Sequence, residues 1–286
     1  MSLRAAVLGH PISHSKSPAL HHAAYSQLGI GISYTAIDVT EQMLPSLMRQ
    51  LRDQPGWRGL SVTMPLKSAM VSEVDEVRGV ARALGVVNTV AFEKHGSGSR
   101  AIGFNTDVTG IVNAVRHAGG GTPAEPVILG GGGTAAAAVA ALTELGAGSA
   151  LLFVRDPFRT AEVRAAAESF GLSLEIRPLT EAAKPMAAAD VVISTLPPRA
   201  ADGLAAEIAA LKTSTSGVLL DVAYDPWPSL IASVWEAGGG AVVPGLEMLL
   251  YQAVEQVRLF SHLEEEVNAS VIDVMCDAVG LPRRAL

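Results

Sequence analysis

Little in this 286-residue sequence points to covalent staples, a membrane or a polyanionic partner. There is one cysteine, Cys276, which excludes an internal disulfide and agrees with a reducing, cytoplasmic setting. It stands among Val274, Met275 and Ala278, a pattern expected of a buried helix face rather than of a nucleophile. No uninterrupted apolar run reaches about 18 residues, so no membrane span is expected. The first apolar run, Leu3 to Gly9, is too short for the core of a signal peptide and reads as a strand. Charged residues are only 17% of the chain and the net charge is −7, which disfavours a general nucleic-acid binder. The seven histidines show no metal-ligand spacing, so no metal is expected. His21 and His22 are adjacent and must face different sides of a helix, and His14 reads as solvent-exposed.

What the chain does have is core: 49% of residues are hydrophobic, enough for one large or two ordinary domains. Its first part reads as a strand (Leu3 to Gly9), a polar loop, a helix from Ala19 to Leu28 with Ser17 as N-cap and Pro18 in the first turn, a strand (Ile32 to Val39) and a helix (Glu41 to Leu51). A strand from Leu60 to Met64 follows, with a helix beginning at Pro65 to Lys67, a helix from Asp75 to Leu84, and a hairpin of strands Val86 to Phe92 and Arg100 to Phe104. Asn105 to Asp107 then caps a helix reaching His117. Beyond it, strands alternate with short alanine-rich helices in a parallel, doubly wound pattern, and two helices, Leu246 to Phe260 and Val267 to Val279, close the chain. Glu264 to Glu266 read as a charged helix start. The fold class is therefore α/β, in two α/β units, and chemistry is expected at strand ends, where inter-domain crevices favour ligands.

Gly130, Gly132 and Ala135 fit the spacing of a dinucleotide-binding turn, with Gly133 and Thr134 between them. The first glycine permits a sharp turn, the second lets a pyrophosphate approach the backbone, and the small third residue lets helix and strand pack closely. Four clusters further upstream place polar groups where a fold does not demand them. In Ser13 to Ser17, capping accounts for Ser17 but not for Ser15. In Ser61 to Lys67, the lysine is either an ordinary helix-start residue or a functional cation, since a cation in a first turn opposes the helix dipole. Asn88 and Thr89 lie in an apolar strand, where a buried asparagine needs partners. Asn105 to Asp107 suit a helix cap and equally a ligand.

Taken in order, these clusters resemble the shikimate dehydrogenase family: GHPISHSKSP at 9–18, SVTMPLK at 61–67, VNT at 87–89, NTD at 105–107, GGGGTA at 130–135, DVAY at 221–224 and GLEMLLYQA at 245–253. The matches span essentially the whole chain, and DPWP at 225–228 looks most like the actinobacterial branch. The resemblance implies an N-terminal substrate and catalytic domain (1–105), a doubly wound Rossmann-like NADP-binding domain (106–244), and C-terminal helices (245–286) returning to the first. It implies reversible reduction of 3-dehydroshikimate to shikimate with NADPH and no metal, in chorismate and aromatic amino-acid synthesis. Lys67 matches the family's catalytic lysine and Asp107 its partner aspartate. Ser15, Ser17, Thr63, Asn88, Tyr224 and Gln252 match the groups that hold the substrate. Gly130, Gly132, Gly133, Thr134, Ala135, Gly245 and Met248 match the cofactor site. Small molecules are the implied partners, with the chain a monomer or homodimer.

The cofactor's sugar end is less uniform. Val154 stands at the strand end where an acid would serve NAD, while Arg155 and Arg159 suit the 2′-phosphate of NADP. Asp156 either opposes that phosphate or caps the next helix. NADP is favoured over NAD. The chain departs from the family at Ser61, where asparagine is usual, and at Val108, Ala136, Val154, Asp156 and Ser194 to Pro198. The rival readings are an NAD-linked quinate/shikimate dehydrogenase, a non-catalytic nucleotide- or metabolite-binding protein and, on fold grounds only, a folate-type dehydrogenase.

Overall fold

The computed structural model describes residues 2–96, 98–158 and 160–284. They form two compact units: Met1–Thr106 together with Gln252–Leu286, and Asp107–Tyr251.

The first unit contains β1 (Leu3–Gly9), α1 (Ser17–Gln27), β2 (Ile32–Asp38), α2 (Leu44–Arg52), β3 (Trp57–Val62), β4 (Glu76–Val77), α3 (Val80–Leu84), β5 (Thr89–His95) and β6 (Gly98–Phe104). Its sheet runs β2-β1-β3-β5-β6-β4. β1 pairs parallel with β2 and β3, whereas β3, β5 and β6 are joined antiparallel. Leu8, Leu60, Val62, Val90 and Phe92 meet Leu44, Met48 and Leu51 of α2 in one buried cluster. Gly59 is required where it stands, because a Cβ there would overlap the Phe260 ring.

The second unit contains α4 (Asp107–His117), β7 (Val127–Leu129), α5 (Gly133–Glu144), β8 (Ser149–Val154), α6 (Ala161–Phe170), β9 (Ser173–Pro178), α7 (Ala183–Ala188), β10 (Val191–Ser194), α8 (Asp202–Leu211), β11 (Val218–Asp221), α9 (Leu230–Ala237) and β12 (Ala241–Pro244). The six strands are parallel in the order β12-β11-β10-β7-β8-β9. Chain order reverses between β7 and β10, and a doubly wound sheet binds ligands at such a reversal. The central strands β7, β10 and β11 are buried along their whole length because helices cover both faces, and Ala135 to Leu142 of α5 are all buried. The division between units falls inside α10 (Gly245–Ser261), after which α11 (Ala269–Val279) packs on α1. Cys276 is buried on α11.

Five local expectations are corrected. Pro65 to Lys67 form turns, and the helix that follows is a short 3-10 segment, Ala69–Glu73, so Lys67 does not oppose a helix dipole. Asp75 to Leu84 are not one helix: Glu76 and Val77 pair with β6, held by the Asp75 carboxylate accepting from the Ala101 N–H at 2.8 Å. Ser17 is the first residue of α1 rather than its cap; Lys16 holds the cap position and its side chain makes no cap bond. Asp156 does not cap α6, because Thr160 occupies that place and the Asp156 carboxylate instead accepts from the Phe158 N–H at 3.0 Å. Glu264 to Glu266 lie in a turn, and α11 starts later under an Asn268 cap that accepts from the Ser270 N–H.

Candidate functional site

In the first unit, the ends of β1 and β3 are tied together. The Thr63 N–H donates to the Leu8 carbonyl at 2.9 Å and the His10 N–H to the Met64 carbonyl at 3.0 Å. This sets half-buried Thr63 beside Gly9, at the root of the serine loop. The loop is anchored by Asp38 at the end of β2, whose carboxylate meets His10 Nδ1 at 2.7 Å and accepts from the Ile12 N–H at 3.3 Å. Asp38 was not singled out from the sequence. Ser15 Oγ accepts from the Ser17 N–H at 3.3 Å, so the two serines stand together at the start of α1, Ser17 buried and Ser15 partly so.

Asn88 is 2% exposed and is held at both ends of its amide. Its Oδ1 accepts from the Thr106 N–H at 2.7 Å and the Thr89 hydroxyl at 2.8 Å. Its Nδ2 donates to Thr106 Oγ1 at 3.0 Å and to Gln252 Oε1 at 3.5 Å. Asn88 and Gln252 are thus brought together from positions 164 apart in the chain. Asn105 is also buried and donates to the Val86 carbonyl at 3.1 Å. Lys67, half-buried, follows β3 closely. Its carbonyl accepts from the Val87 N–H at 3.0 Å, which fixes the lysine's backbone one residue before Asn88.

Behind these groups lies a polar layer that sequence reasoning missed. The Tyr34 hydroxyl donates to Ser61 Oγ at 2.6 Å, and Ser61 donates to Gln256 Oε1 at 2.6 Å. Gln256 Nε2 donates to Thr89 Oγ1 at 2.9 Å and the Asn88 carbonyl at 3.4 Å. The shortened side chain at Ser61 is therefore absorbed into an internal network. Tyr34 is fully buried, which raises its phenol well above the ordinary range, against the opposing hydrogen bonds of Ser61 and Ser17. His21 stacks on Tyr34 with centroids 4.0 Å apart and planes 10° from parallel. Since Gln256 turns its NH₂ to two acceptors, its oxygen faces His21, so Nε2 of His21 carries the proton at 3.3 Å and Nδ1 accepts from the Tyr25 hydroxyl at 3.0 Å.

Burial lowers the His21 pKa to about 3, with the Gln256 hydrogen bond opposing the shift and the His22 charge adding to it. An unfolded chain takes up that proton near its ordinary value of about 6.5, so the folded state loses stability as pH falls from there toward about 3. One proton corresponds to about 1.4 kcal/mol per pH unit. Between about pH 7 and about pH 5 the wild-type chain should lose about 2 kcal/mol more than a His21→Gln variant. Urea melts at the two pH values measure this; equal losses in both chains would remove the argument.

In the second unit, Gly130 leaves β7 at φ +101°. A Cβ there would collide with the Thr195 hydroxyl, which donates to the Leu129 carbonyl at 2.8 Å. Gly132 differs: it holds the cap position of α5 at an ordinary φ of −95°, and a Cβ on it would meet nothing within 4 Å. No side chain caps α5 and its first turn, with Gly133, Thr134 and Ala135, carries no acid. The positive end of the α5 dipole lies at this turn, where an anion is favoured. Ala136 is fully buried. Val154 is buried at the end of β8, and Arg155 just beyond it is exposed. Arg159 lies outside the described residues.

Asp107 opens α4 and is buried. Tyr224, half-buried, lies on the loop after β11, and burial raises its phenol. That loop is held at its base by Asp221, which accepts from the Ser229 hydroxyl at 2.6 Å. Gly245 opens α10 against the Val222 carbonyl, leaving no room for a side chain, and Met248 is buried one turn on. Among the described residues, no group of three His, Cys, Asp or Glu side chains could hold a metal ion, and no helix is long and apolar enough to cross a membrane.

A family model described as the shikimate dehydrogenase substrate binding domain matches residues 7–90. The shikimate dehydrogenase (NADP(+)) of Rubrobacter xylanophilus is 36% identical over 92% of this chain and 92% of its own length. The crystal structure of Mycobacterium tuberculosis shikimate dehydrogenase superposes with a TM-score of 0.80 at 36% identity, covering 97% of this chain and 98% of that one. The Thermus thermophilus shikimate 5-dehydrogenase, solved in complex with NADP(H) and shikimate, gives a TM-score of 0.79 at 31% identity, covering 96% and 99%. With its fold, its motifs and its near-full-length relatives in agreement, the chain belongs to the shikimate dehydrogenase family.

Proposed function

We propose that this chain interconverts 3-dehydroshikimate and shikimate with NADP, with Lys67 and Asp107 as the catalytic pair. The observation that carries the reading is the assembly of Asn88, Thr106 and Gln252 into one buried hydrogen-bonded group, immediately flanked in sequence by Asp107 and tied through Val87 to Lys67. Asn88 and Gln252, with Ser15, Ser17 and Thr63, offer neutral donors and acceptors suited to a polyhydroxylated carboxylate. Tyr224, on the loop after β11, is assigned to the substrate as well. The domain roles follow: residues 1–105 bind substrate, 106–244 bind the dinucleotide, and 245–286 contribute Gln252.

The first turn of α5, with Gly130, Gly132, Gly133, Thr134 and Ala135, fits a pyrophosphate. Gly245 and Met248 are assigned to the nicotinamide end. When bound, NADPH supplies a hydride to the substrate carbonyl. Lys67 delivers a proton to the oxygen that gains charge in the reduction, and takes it back from the hydroxyl in the reverse direction. The buried carboxylate of Asp107 orients the lysine ammonium and accepts from a neighbouring substrate hydroxyl. The same reading places the enzyme in the cytoplasm, as a monomer or homodimer.

Following absorbance at the nicotinamide band while crossing shikimate and quinate with NADP and NAD tests the assignment. The expected result is highest kcat/KM for shikimate with NADP. Turnover of quinate with NAD at higher efficiency would transfer the chain to the quinate-linked reading, and binding without turnover would support a non-catalytic one. Exposed Arg155 is expected to meet the 2′-phosphate with Arg159, so Arg155→Ala should raise KM for NADP by about tenfold while leaving that for NAD nearly unchanged. An equal effect on both cofactors would assign Arg155 to the adenine instead.

A further inference from the structure

We propose that Gln256 is a positioning residue that fixes the direction of the Thr89–Asn88 hydrogen bond where β5 begins, and so helps hold the Asn88 amide in place; this rests on the functional reading above. Gln256 is 1% exposed, one helical turn beyond Gln252 on α10. Its amide has two donors on the oxygen side, Ser61 at 2.6 Å and His21 at 3.3 Å, and two acceptors on the nitrogen side, Thr89 Oγ1 at 2.9 Å and the Asn88 carbonyl at 3.4 Å. An amide turned the other way would set its oxygen against the Asn88 carbonyl, which can only accept. Only one orientation satisfies all four contacts.

That orientation dictates the next bonds. Thr89 Oγ1 is used as an acceptor by Gln256, so its own proton goes to Asn88 Oδ1 at 2.8 Å. Together with the Thr106 N–H at 2.7 Å, that proton makes Asn88 Oδ1 the acceptor end and turns Nδ2 toward Thr106 and Gln252. Without Gln256 the Thr89 hydroxyl loses the donor that fixes its role, so Asn88 Oδ1 is left with the Thr106 N–H at 2.7 Å as its fixed donor. Ser61 and Tyr34 serve the same end, since Tyr34 occupies the Ser61 lone pair and directs the Ser61 proton to Gln256. A buried network with every member satisfied specifies a single arrangement, and a half-satisfied one does not.

The test compares wild type, Gln256→Leu and Gln256→Glu in the shikimate and NADP assay. Gln256→Leu should raise KM for shikimate about tenfold, with kcat within about threefold of wild type and KM for NADP unchanged. A folded Gln256→Leu enzyme with wild-type shikimate KM overturns the proposal. Gln256→Glu keeps the volume but directs an anionic oxygen at the Asn88 carbonyl unless protonated. The titratable groups around it are His21 and Tyr25 from α1 and Tyr34 from β2; the nearby charges are Arg58 of β3, which donates to the Phe260 carbonyl, and the Arg258–Glu255 pair on α10. His21 takes up its proton only far into acid, and both phenols are raised, so a new pH dependence belongs to the introduced carboxyl, alone or shared with His21. The ratio of its shikimate KM to that of wild type should fall as pH is lowered from about 9 to about 6, because the protonated acid restores a donor toward Thr89. A pH-independent ratio overturns the proposal even if Gln256→Leu fails to fold. Absence of wild-type turnover would instead overturn the functional assignment.

Discussion

Replacing Lys67 with alanine should lower kcat for shikimate oxidation by about a thousandfold while KM for shikimate changes by less than about threefold. The size follows from what is removed. A positioned proton-transfer group contributes about 10²–10⁴ in rate, and the ammonium also stabilises charge as it develops on the oxygen. The split between kcat and KM follows from the other assignments. Ser15, Ser17, Thr63, Asn88 and Gln252 are the groups assigned to the ground state, and all five remain when the lysine side chain is removed. Lys67 lies in a turn rather than in a helix, and its backbone is anchored by Val87 whatever the side chain is. Folding should therefore survive the substitution, as near-wild-type melting would show. Near-normal turnover in Lys67→Ala would remove the lysine from the chemistry, and a large rise in KM with kcat preserved would make it a binding group.

Gly130→Val should abolish cofactor binding and lower the melting temperature, whereas Gly132→Ala should weaken cofactor binding at unchanged stability. At Gly130 a side chain is strained by the positive φ and collides with the Thr195 hydroxyl, which is itself committed to the Leu129 carbonyl. Backbone strain costs about 1–3 kcal/mol and overpacking a similar amount. At roughly 2–4 °C per kcal/mol the melt should drop by about 5–15 °C. At Gly132 neither term applies, since φ is ordinary and the space is open. A methyl group there costs only what it excludes. Calorimetric melts with NADP titrations on both variants separate the two cases. If Gly132→Ala binds NADP as tightly as wild type, the phosphates do not lie against that residue.

Much of this architecture was readable because it is local. Apolar runs at β7, β8, β10 and β11 announce a buried parallel sheet, and the Gly130 to Ala135 spacing announces the turn after β7. The substrate motifs were readable as departures, polar residues in places a core does not need. Glu76 and Val77 were misread as helix because only their pairing with β6 makes them a strand. The three glutamates at 264–266 were misread because acids favour helix starts in general, while Asn268 supplies the actual cap. The network of His21, Tyr34, Ser61 and Gln256 was invisible for a different reason. Ser61 and Gln256 are 195 residues apart, and a glutamine on a helix reads as surface until the partner that buries it is known.

The first unit is discontinuous: α10 and α11 complete what β1 begins, with the whole of residues 107–251 interposed. α11 packs on α1, and Gln256 joins Ser61, Thr89 and His21. During synthesis the two ends of that unit cannot meet until the chain is nearly finished, whereas all parts of the second unit emerge in one stretch. Co-translational folding should therefore complete the second unit before the first, whose polar layer lacks Gln256 until α10 has been made. A stop after Tyr251 would leave the second unit whole and the first without residues 252–286, so that loss should be felt first at the opposite terminus, in the contacts of α1, Ser61 and Thr89.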